Sequence, residues 1–290
     1  MGTVVVLAAQ VGGAKLADGL YRLRGMDLAV VVNTGDDYRH LGLAFSPDLD
    51  TTLFTLAGIA SATTGWEPEG ETRALQGMLK QLGGPDRPLL GDKSLAAPLL
   101  RAEGLANERR LTEITLDFCR RLGIEALVLP MSDDPVRTNV LTDDGAMTFQ
   151  QYYNELGCDP AVRGMQYAGA AEARISDEVL DALHSEDLEA VVIGPANPYH
   201  GIRPILELSG MRELGREPTA LGAATEYRQL ADGFVIDRED LALAEGVRSL
   251  GMQVLAVHTV MRAPEDRVAL ARSVLEFARS IREARALEVE

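Results

Sequence analysis

The stretch Thr3-Val-Val-Val-Leu-Ala-Ala9, followed by Gln10-Val-Gly-Gly-Ala-Lys15, decides the fold. A β-branched, aliphatic run that ends near a glycine pair reads as a buried strand turning into a helix. Similar runs recur at residues 28–32, 126–129, 190–193, 234–236 and 254–257. Short apolar runs without alternation are what strands covered on both faces look like. Between the first two, Leu16, Leu20 and Leu23 fall at helical spacing over residues 15–24, which predicts one right-handed β-α-β unit. From Thr51 to Gly123 the pattern changes to helical stretches, with Leu111, Ile114, Phe118 and Leu122 on one face and Gly123 closing it. Pro264-Glu-Asp266 opens a last helix that carries Val268, Ala271, Leu275, Ala278 and Ile281 on one stripe. The expected fold is α/β, an open, doubly wound, mainly parallel sheet. Residues 1–50 and 124–290 form its core, and residues 51–123 form a helical insertion domain.

Composition narrows the function. The 290 residues hold 28 Lys+Arg against 44 Asp+Glu, a formal charge of −16, and 46% are hydrophobic. That apolar share fills a core and excludes a disordered chain. An acidic chain without a basic cluster lacks the footprint that drives nucleic-acid binding and is repelled by anionic lipid, so neither partner is expected. A phosphate-bearing small ligand would then need backbone N–H groups, a bound cation or a local exception to the charge. The first strand lacks a basic flank, and no apolar run approaches the roughly 18 residues of a membrane helix. Cys119 and Cys158 form no paired motif and read as reduced thiols. A cytoplasmic protein is expected.

In open α/β sheets, ligands sit beyond the carboxyl ends of the strands. After the first strand, Gly12 and Gly13 would let N–H groups approach an anion at a helix start, with Lys15 as a local positive charge; plain turn chemistry explains a glycine pair equally well. After the second come Asn33-Thr-Gly-Asp-Asp37 and then Ser46-Pro-Asp-Leu-Asp50. Asp36, Asp37, Asp48 and Asp50 could supply hard oxygen ligands to Mg²⁺, although for any single aspartate a helix cap or an Asx-turn is the commoner use. The third strand continues Met131-Ser-Asp-Asp-Pro-Val-Arg137. The fourth continues Gly194-Pro-Ala-Asn-Pro198, where the Asn197 amide could meet a polar ligand edge. Trp66, the one tryptophan, is expected in the core of the helical segment rather than over a ligand. His40, His184, His200 and His258 share no spacing, and the HExxH, GxSxG, Walker and GxGxxG patterns are absent.

These motifs, in this order and together with Gly91-Asp-Lys93 and Phe149-Gln150, resemble the 2-phospho-L-lactate transferase family of coenzyme F-420 biosynthesis. The resemblance runs from the first strand to about residue 240. It implies a Rossmann-like core with a helical second domain, a homodimer, and Mg²⁺-dependent transfer of a phospholactyl- or phosphoenolpyruvyl-type group. The donor would be a guanosine diphosphate conjugate, the acceptor the deazaflavin Fo, and GMP would be released. By motif, Asp36 and Asp37 match the metal site, and Asp36 and Asp50 the catalytic carboxylates. Asp50 and Lys93 match the Fo-binding pair, and Gly12, Gly13, Lys15 and Asn197 would face the nucleotide. The chain also departs from the family. Ala9-Gln-Val-Gly-Gly13 replaces a glycine-threonine-rich turn, Pro98 stands where a histidine is expected, and Arg203 replaces a glycine. After Leu214 the sequence passes directly to Gly215, where relatives insert a further strand and loop. The alternative reading is a non-catalytic deazaflavin- or metal-binding paralogue that has lost the donor site.

Overall fold

The structure is a computed structural model that describes residues 2–208 and 220–288. Its centre is a four-stranded parallel sheet of β1 (Thr3–Ala8), β2 (Asp27–Val32), β5 (Leu127–Pro130) and β9 (Leu188–Ile193), in the order β5-β2-β1-β9. The side strands β3 (Tyr38–His40) and β4 (Leu43–Phe45) form a hairpin, while β6 (Arg137–Thr142), β7 (Gly145–Thr148) and β8 (Gly164–Ala168) form an antiparallel sheet of three. The last strands, β10 (Gly233–Asp237) and β11 (Gln253–Val257), pair parallel with each other. In chain order the helices are α1 (Gln10–Leu23), α2 (Pro47–Leu56), α3 (Ala74–Gln81), α4 (Ala96–Ala106), α5 (Leu111–Leu122), α6 (Asp177–Leu183), α7 (Arg203–Leu206), α8 (Ala220–Tyr227), α9 (Ala244–Arg248) and α10 (Pro264–Glu288).

The apolar strand runs are continuous because both faces are covered. Val4, Val6, Val30, Val32 and Val128 pack with Leu16, Leu20, Leu49, Leu53, Leu270 and Leu275 from α1, α2 and α10. Their alternates Val5, Leu7, Ala29, Val31 and Leu129 face Val179, Ala182, Ile202 and Ile205 on the opposite side. Successive side chains point to opposite faces, so each strand feeds two cores. The α/β fold with a mainly parallel central sheet is as the sequence predicts.

Four expectations change. First, α1 begins at Gln10, so Gly12 and Gly13 lie in its first turn rather than in a loop before it, and Lys15 lies in its second. Second, β10 and β11 do not extend the central sheet: no ladder joins them to it among the described residues, and α10 packs against both sheets instead. Third, α2 crosses the expected boundary at residue 50/51, and its Leu49 and Leu53, with Leu111 and Cys119 of α5, belong to the central core. The helical stretch is thus partly built into the sheet's cover. Fourth, Trp66 is 45% exposed. It sits in a turn beside the start of α1, where a Cβ on its neighbour Gly65 would lie 2.8 Å from Val11, so it fills no core. The junction at Leu214 and Gly215 lies outside the described residues.

Candidate functional site

The turn Asn33–Asp37 leaves the carboxyl end of β2, and its shape comes from its own side chains. Asn33 Oδ1 accepts the N–H of Gly35 at 2.8 Å, which makes Asn33, rather than Asp36, the Asx residue of the turn. Asn33 Nδ2 donates to Asp48 Oδ2 at 3.0 Å and to the His200 carbonyl at 3.2 Å. A cross-chain contact fixes the outer side, where Gly35 accepts the N–H of Thr138 at 2.7 Å. A side chain at position 35 would lie 2.7 Å from Thr138 Oγ1, so only glycine fits there.

Held in this way, Asp36 and Asp37 are both buried. Asp37 Oδ2 accepts the Ser46 hydroxyl at 2.7 Å, and Asp36 Oδ2 lies 3.1 Å from His200 Nδ1. The second oxygen of each carboxylate, together with the hydroxyls of Thr34 and Thr138, is buried without a hydrogen-bond partner among the described residues. Buried polar atoms are satisfied in most folds, so four unmet oxygens on and against one turn call for a partner such as an ordered water or an ion. Oxygen donors of this hard type suit Mg²⁺, which takes one or two carboxylates and completes its shell with water and substrate phosphate. Among the described residues no three His, Cys, Asp or Glu side chains form a ready-made cage. The donor set therefore fits a cation shared with a substrate.

The electrostatics agree. Burial pushes the Asp37 carboxyl up to about 8, against the partial relief of the Ser46 hydroxyl and the Arg101 and Arg137 charges. Burial and the nearby Asp36 charge push Asp48 up to about 7, although Asn33 and the Gln10 N–H favour its ionised form. A divalent cation would lower both.

Other expected residues have structural partners. The Asp50 carboxylate is paired with the fully buried Arg101, whose guanidinium also donates to the Ala44 carbonyl at 3.1 Å and lies 5.9 Å from the Phe118 ring. Burial raises the Asp50 pKa while Arg101 opposes it. Lys93 is exposed, with Nζ donating to the Glu69 carbonyl at 2.6 Å, and among the described residues no hydrogen bond or ion pair joins it to Asp50. Lys15 Nζ donates to the Met261 carbonyl at 3.1 Å. A Cβ at Gly12 would lie 2.1 Å from the Pro195 carbonyl, so this glycine lets α1 approach the turn after β9; Gly13 is less tightly held, a Cβ there meeting Ala8 at 3.1 Å. The Asn197 carboxamide oxygen accepts the N–H groups of Tyr199 and His200, capping the π-helical turn Pro198–Ile202. The paired acids after β5 are structural too: Asp133 accepts the Thr112 N–H at 2.7 Å at the start of α5, and Asp134 the Arg174 N–H at 2.9 Å.

Sequence reading missed His200, Gln10 and Phe149 as neighbours of Asp36. The His200 and Phe149 rings stack at 4.2 Å between centroids and 19° between planes. No local spacing signals this, because the three come from α1, the segment after β7 and the turn after β9.

Residues 4–221 match the family described as 2-phospho-L-lactate transferase CofD. The 2-phospho-L-lactate transferase of Methanopyrus kandleri is 36% identical over 317 residues, covering 96% of this chain and 98% of that one. That of Methanosarcina mazei is 33% identical over 303 residues, with 94% and 99% coverage. The phosphoenolpyruvate transferase of Streptomyces griseus is 32% identical over 317 residues, with 96% and 99% coverage. These alignments are longer than the 290-residue chain, so the relatives carry residues that this chain lacks. A crystal structure of protein BH3568 from Bacillus halodurans, a UPF0052 family member, superposes with a TM-score of 0.66 at 14% identity, covering 94% of this chain and 98% of that one, and shares its fold.

Proposed function

The chain belongs to the 2-phospho-L-lactate transferase CofD family, and from that premise we propose that it transfers a phospholactyl- or phosphoenolpyruvyl-type group from a guanosine diphosphate conjugate to the deazaflavin Fo, releasing GMP, in coenzyme F-420 biosynthesis. The observation that carries this reading is the pair Asp36 and Asp37, each with one buried, unpartnered carboxylate oxygen at the carboxyl end of β2, in a chain that covers nearly the whole of related transferases.

In this reading Asp36 and Asp37, with the Thr34 and Thr138 hydroxyls beside them, would hold Mg²⁺. When bound, the ion would neutralise diphosphate charge. The chain's own residues position the reactants. Asn33, Gly35 and Thr138 fix the turn that carries both carboxylates, and Arg101 fixes Asp50 as a rigid acceptor at the edge of the site. The nucleotide is assigned to the surface beside the start of α1 and the turn that ends at Asn197; Gly12 and Gly13, closed against Pro195 and Ala8, would shape its wall, and Lys15 lies one turn further on. Fo is assigned to the side of Asp50 and Lys93. Catalysis would then rest on alignment and electrostatics rather than on a protein nucleophile.

The test is purified protein incubated with Fo, Mg²⁺ and each guanosine diphosphate conjugate, with GMP release measured. GMP release with at least one donor, lost in a folded Asp36→Asn variant, is the expected outcome. Fo binding by fluorescence without GMP from any donor would overturn transferase activity and leave a binding protein.

A further inference from the structure

The geometry points to Gln10 and His200 as positioning residues that set which oxygen of Asp36 faces the cation. The inference rests on the reading above, in which Asp36 is a cation ligand.

The Asn197 backbone N–H can only donate, and it lies 2.9 Å from Gln10 Oε1. That fixes the Gln10 carboxamide, so its Nε2 end is the one facing His200, 2.9 Å from the ring Nε2 and 3.5 Å from Nδ1. These two distances together put the carboxamide nitrogen over the face of the imidazole rather than on the in-plane lone pair of Nε2, so Gln10 holds the plane of the ring. A carboxylate oxygen accepts, so the His200 Nδ1–H, 3.1 Å from Asp36 Oδ2, is the donor. One carboxylate oxygen is thereby occupied, and the other, Oδ1, is the buried one without a partner. Backbone contacts hold the relay in place. Asn197 caps the turn that carries His200, Asn33 Nδ2 binds the His200 carbonyl, and Phe149 stacks on the ring and fixes its plane.

Gln10 itself shows that the arrangement has a cost. Its φ is 57°, in the left-handed region, at the first residue of α1. A residue with a Cβ is disfavoured there by about 1–2 kcal/mol, and glycine would adopt the conformation freely. Such an outlier persists when surrounding contacts over-determine it, and it is common at functional sites. Here the over-determination is visible. The Gln10 N–H donates to Asp48 Oδ1 at 2.9 Å while the side chain bridges Asn197 and His200. Glycine would satisfy the backbone and delete the bridge.

That contrast gives the test. Mn²⁺ would be used as the probe and its binding measured by electron paramagnetic resonance in the wild type and in Asp36→Asn, Gln10→Gly, His200→Leu and His200→Gln. Thermal melting of each would be recorded alongside. Loss of an outer partner of a metal ligand typically weakens affinity by about 10–100-fold. Gln10→Gly is expected to melt no lower than the wild type yet to bind Mn²⁺ at least about tenfold more weakly. His200→Leu is expected to weaken binding similarly. His200→Gln, whose carboxamide can still donate to Asp36, is expected to recover most of the affinity. A ¹⁵N-histidine spectrum should show His200 as the Nδ1–H tautomer. If Asp36→Asn binds Mn²⁺ like the wild type, the cation reading fails and the relay fails with it. If Asp36→Asn loses binding while Gln10→Gly and His200→Leu bind normally, the relay alone is overturned. An Nε2–H tautomer also overturns it.

Discussion

The Asp48 carboxylate, in the first turn of α2, accepts the backbone N–H of Gln10 at 2.9 Å and so caps a helix 38 residues earlier in the chain. An aspartate at the start of one helix stabilises the start of another. A carboxylate already sits at the positive end of the α1 dipole, where the sequence suggested a phosphate.

This relationship makes Asp48 a stability residue. Asp48→Ala is expected to cost about 1–2 kcal/mol, within the range of a lost N-terminal cap. Asp48→Asn should recover part of that loss, because its carboxamide oxygen can still accept from Gln10. Urea denaturation of the three proteins checks both statements.

Asp37 predicts a pH dependence of stability. Its carboxyl is pushed up to about 8 by burial, whereas an unfolded aspartate titrates near 3.9. The folded state therefore binds more protons than the unfolded state between those values. The contribution of this group is fully present below about pH 4 and is lost as pH rises through about 8, at up to about 1.4 kcal/mol per pH unit. In metal-free buffer, the melting temperature of the wild type should fall relative to Asp37→Asn as pH is raised from about 5 to about 8.5. Parallel profiles would show that Asp37 is not the group responsible.

A third prediction concerns the β3–β4 hairpin. His40 pairs with Leu43, leaving Leu41 and Gly42 as a two-residue turn with φ values of 50° and 80°. Two positive φ values define the type I′ turn that fits hairpin twist, and asparagine or glycine is its preferred first residue. Leu41 is 54% exposed and has little packing to lose. Leu41→Asn should stabilise the protein by roughly 0.5–1 kcal/mol, measured by denaturant titration.

The Arg101 and Asp50 pair gives a fourth. Arg101 is fully buried, and its guanidinium binds Asp50 and the Ala44 carbonyl. Removing one partner of a buried pair leaves the other charge uncompensated, so Asp50→Leu should cost about 3–5 kcal/mol. The double variant Arg101→Met, Asp50→Leu should be more stable than Asp50→Leu alone. Unfolding free energies from the full double-mutant cycle measure the coupling.

The sequence and the structure agree where burial is strongest. The six aliphatic runs are all strands, because residues such as Val5 and Val30 must be apolar whichever face they point to. The antiparallel strands escaped notice because they are half-exposed and chemically mixed. Arg137-Thr-Asn-Val-Leu-Thr142 shows no long alternation, and Asp143-Asp-Gly145 was the one available sign of a hairpin. In the site, the turn Asn33–Asp37 was legible from its carboxylates at a strand end. Gln10 and His200 were not, since a relay between residues 190 positions apart leaves no local pattern. Asp133 and Asp134 illustrate the opposite case, in which carboxylates at a strand end prove to be caps for neighbouring backbone.

The isolation of β10 and β11 from the central sheet implies a seam that no backbone ladder crosses among the described residues. Across it the two sheets are joined by side chains, among them those of α10, which lies over both, and Phe234 on the opposite face. Cooperative opening of a protein follows such boundaries. The carboxyl-terminal pair should therefore exchange its amide hydrogens in a separate and faster step than β1 and β2, and the half that carries the turn Asn33–Asp37 would keep its architecture while that step occurs.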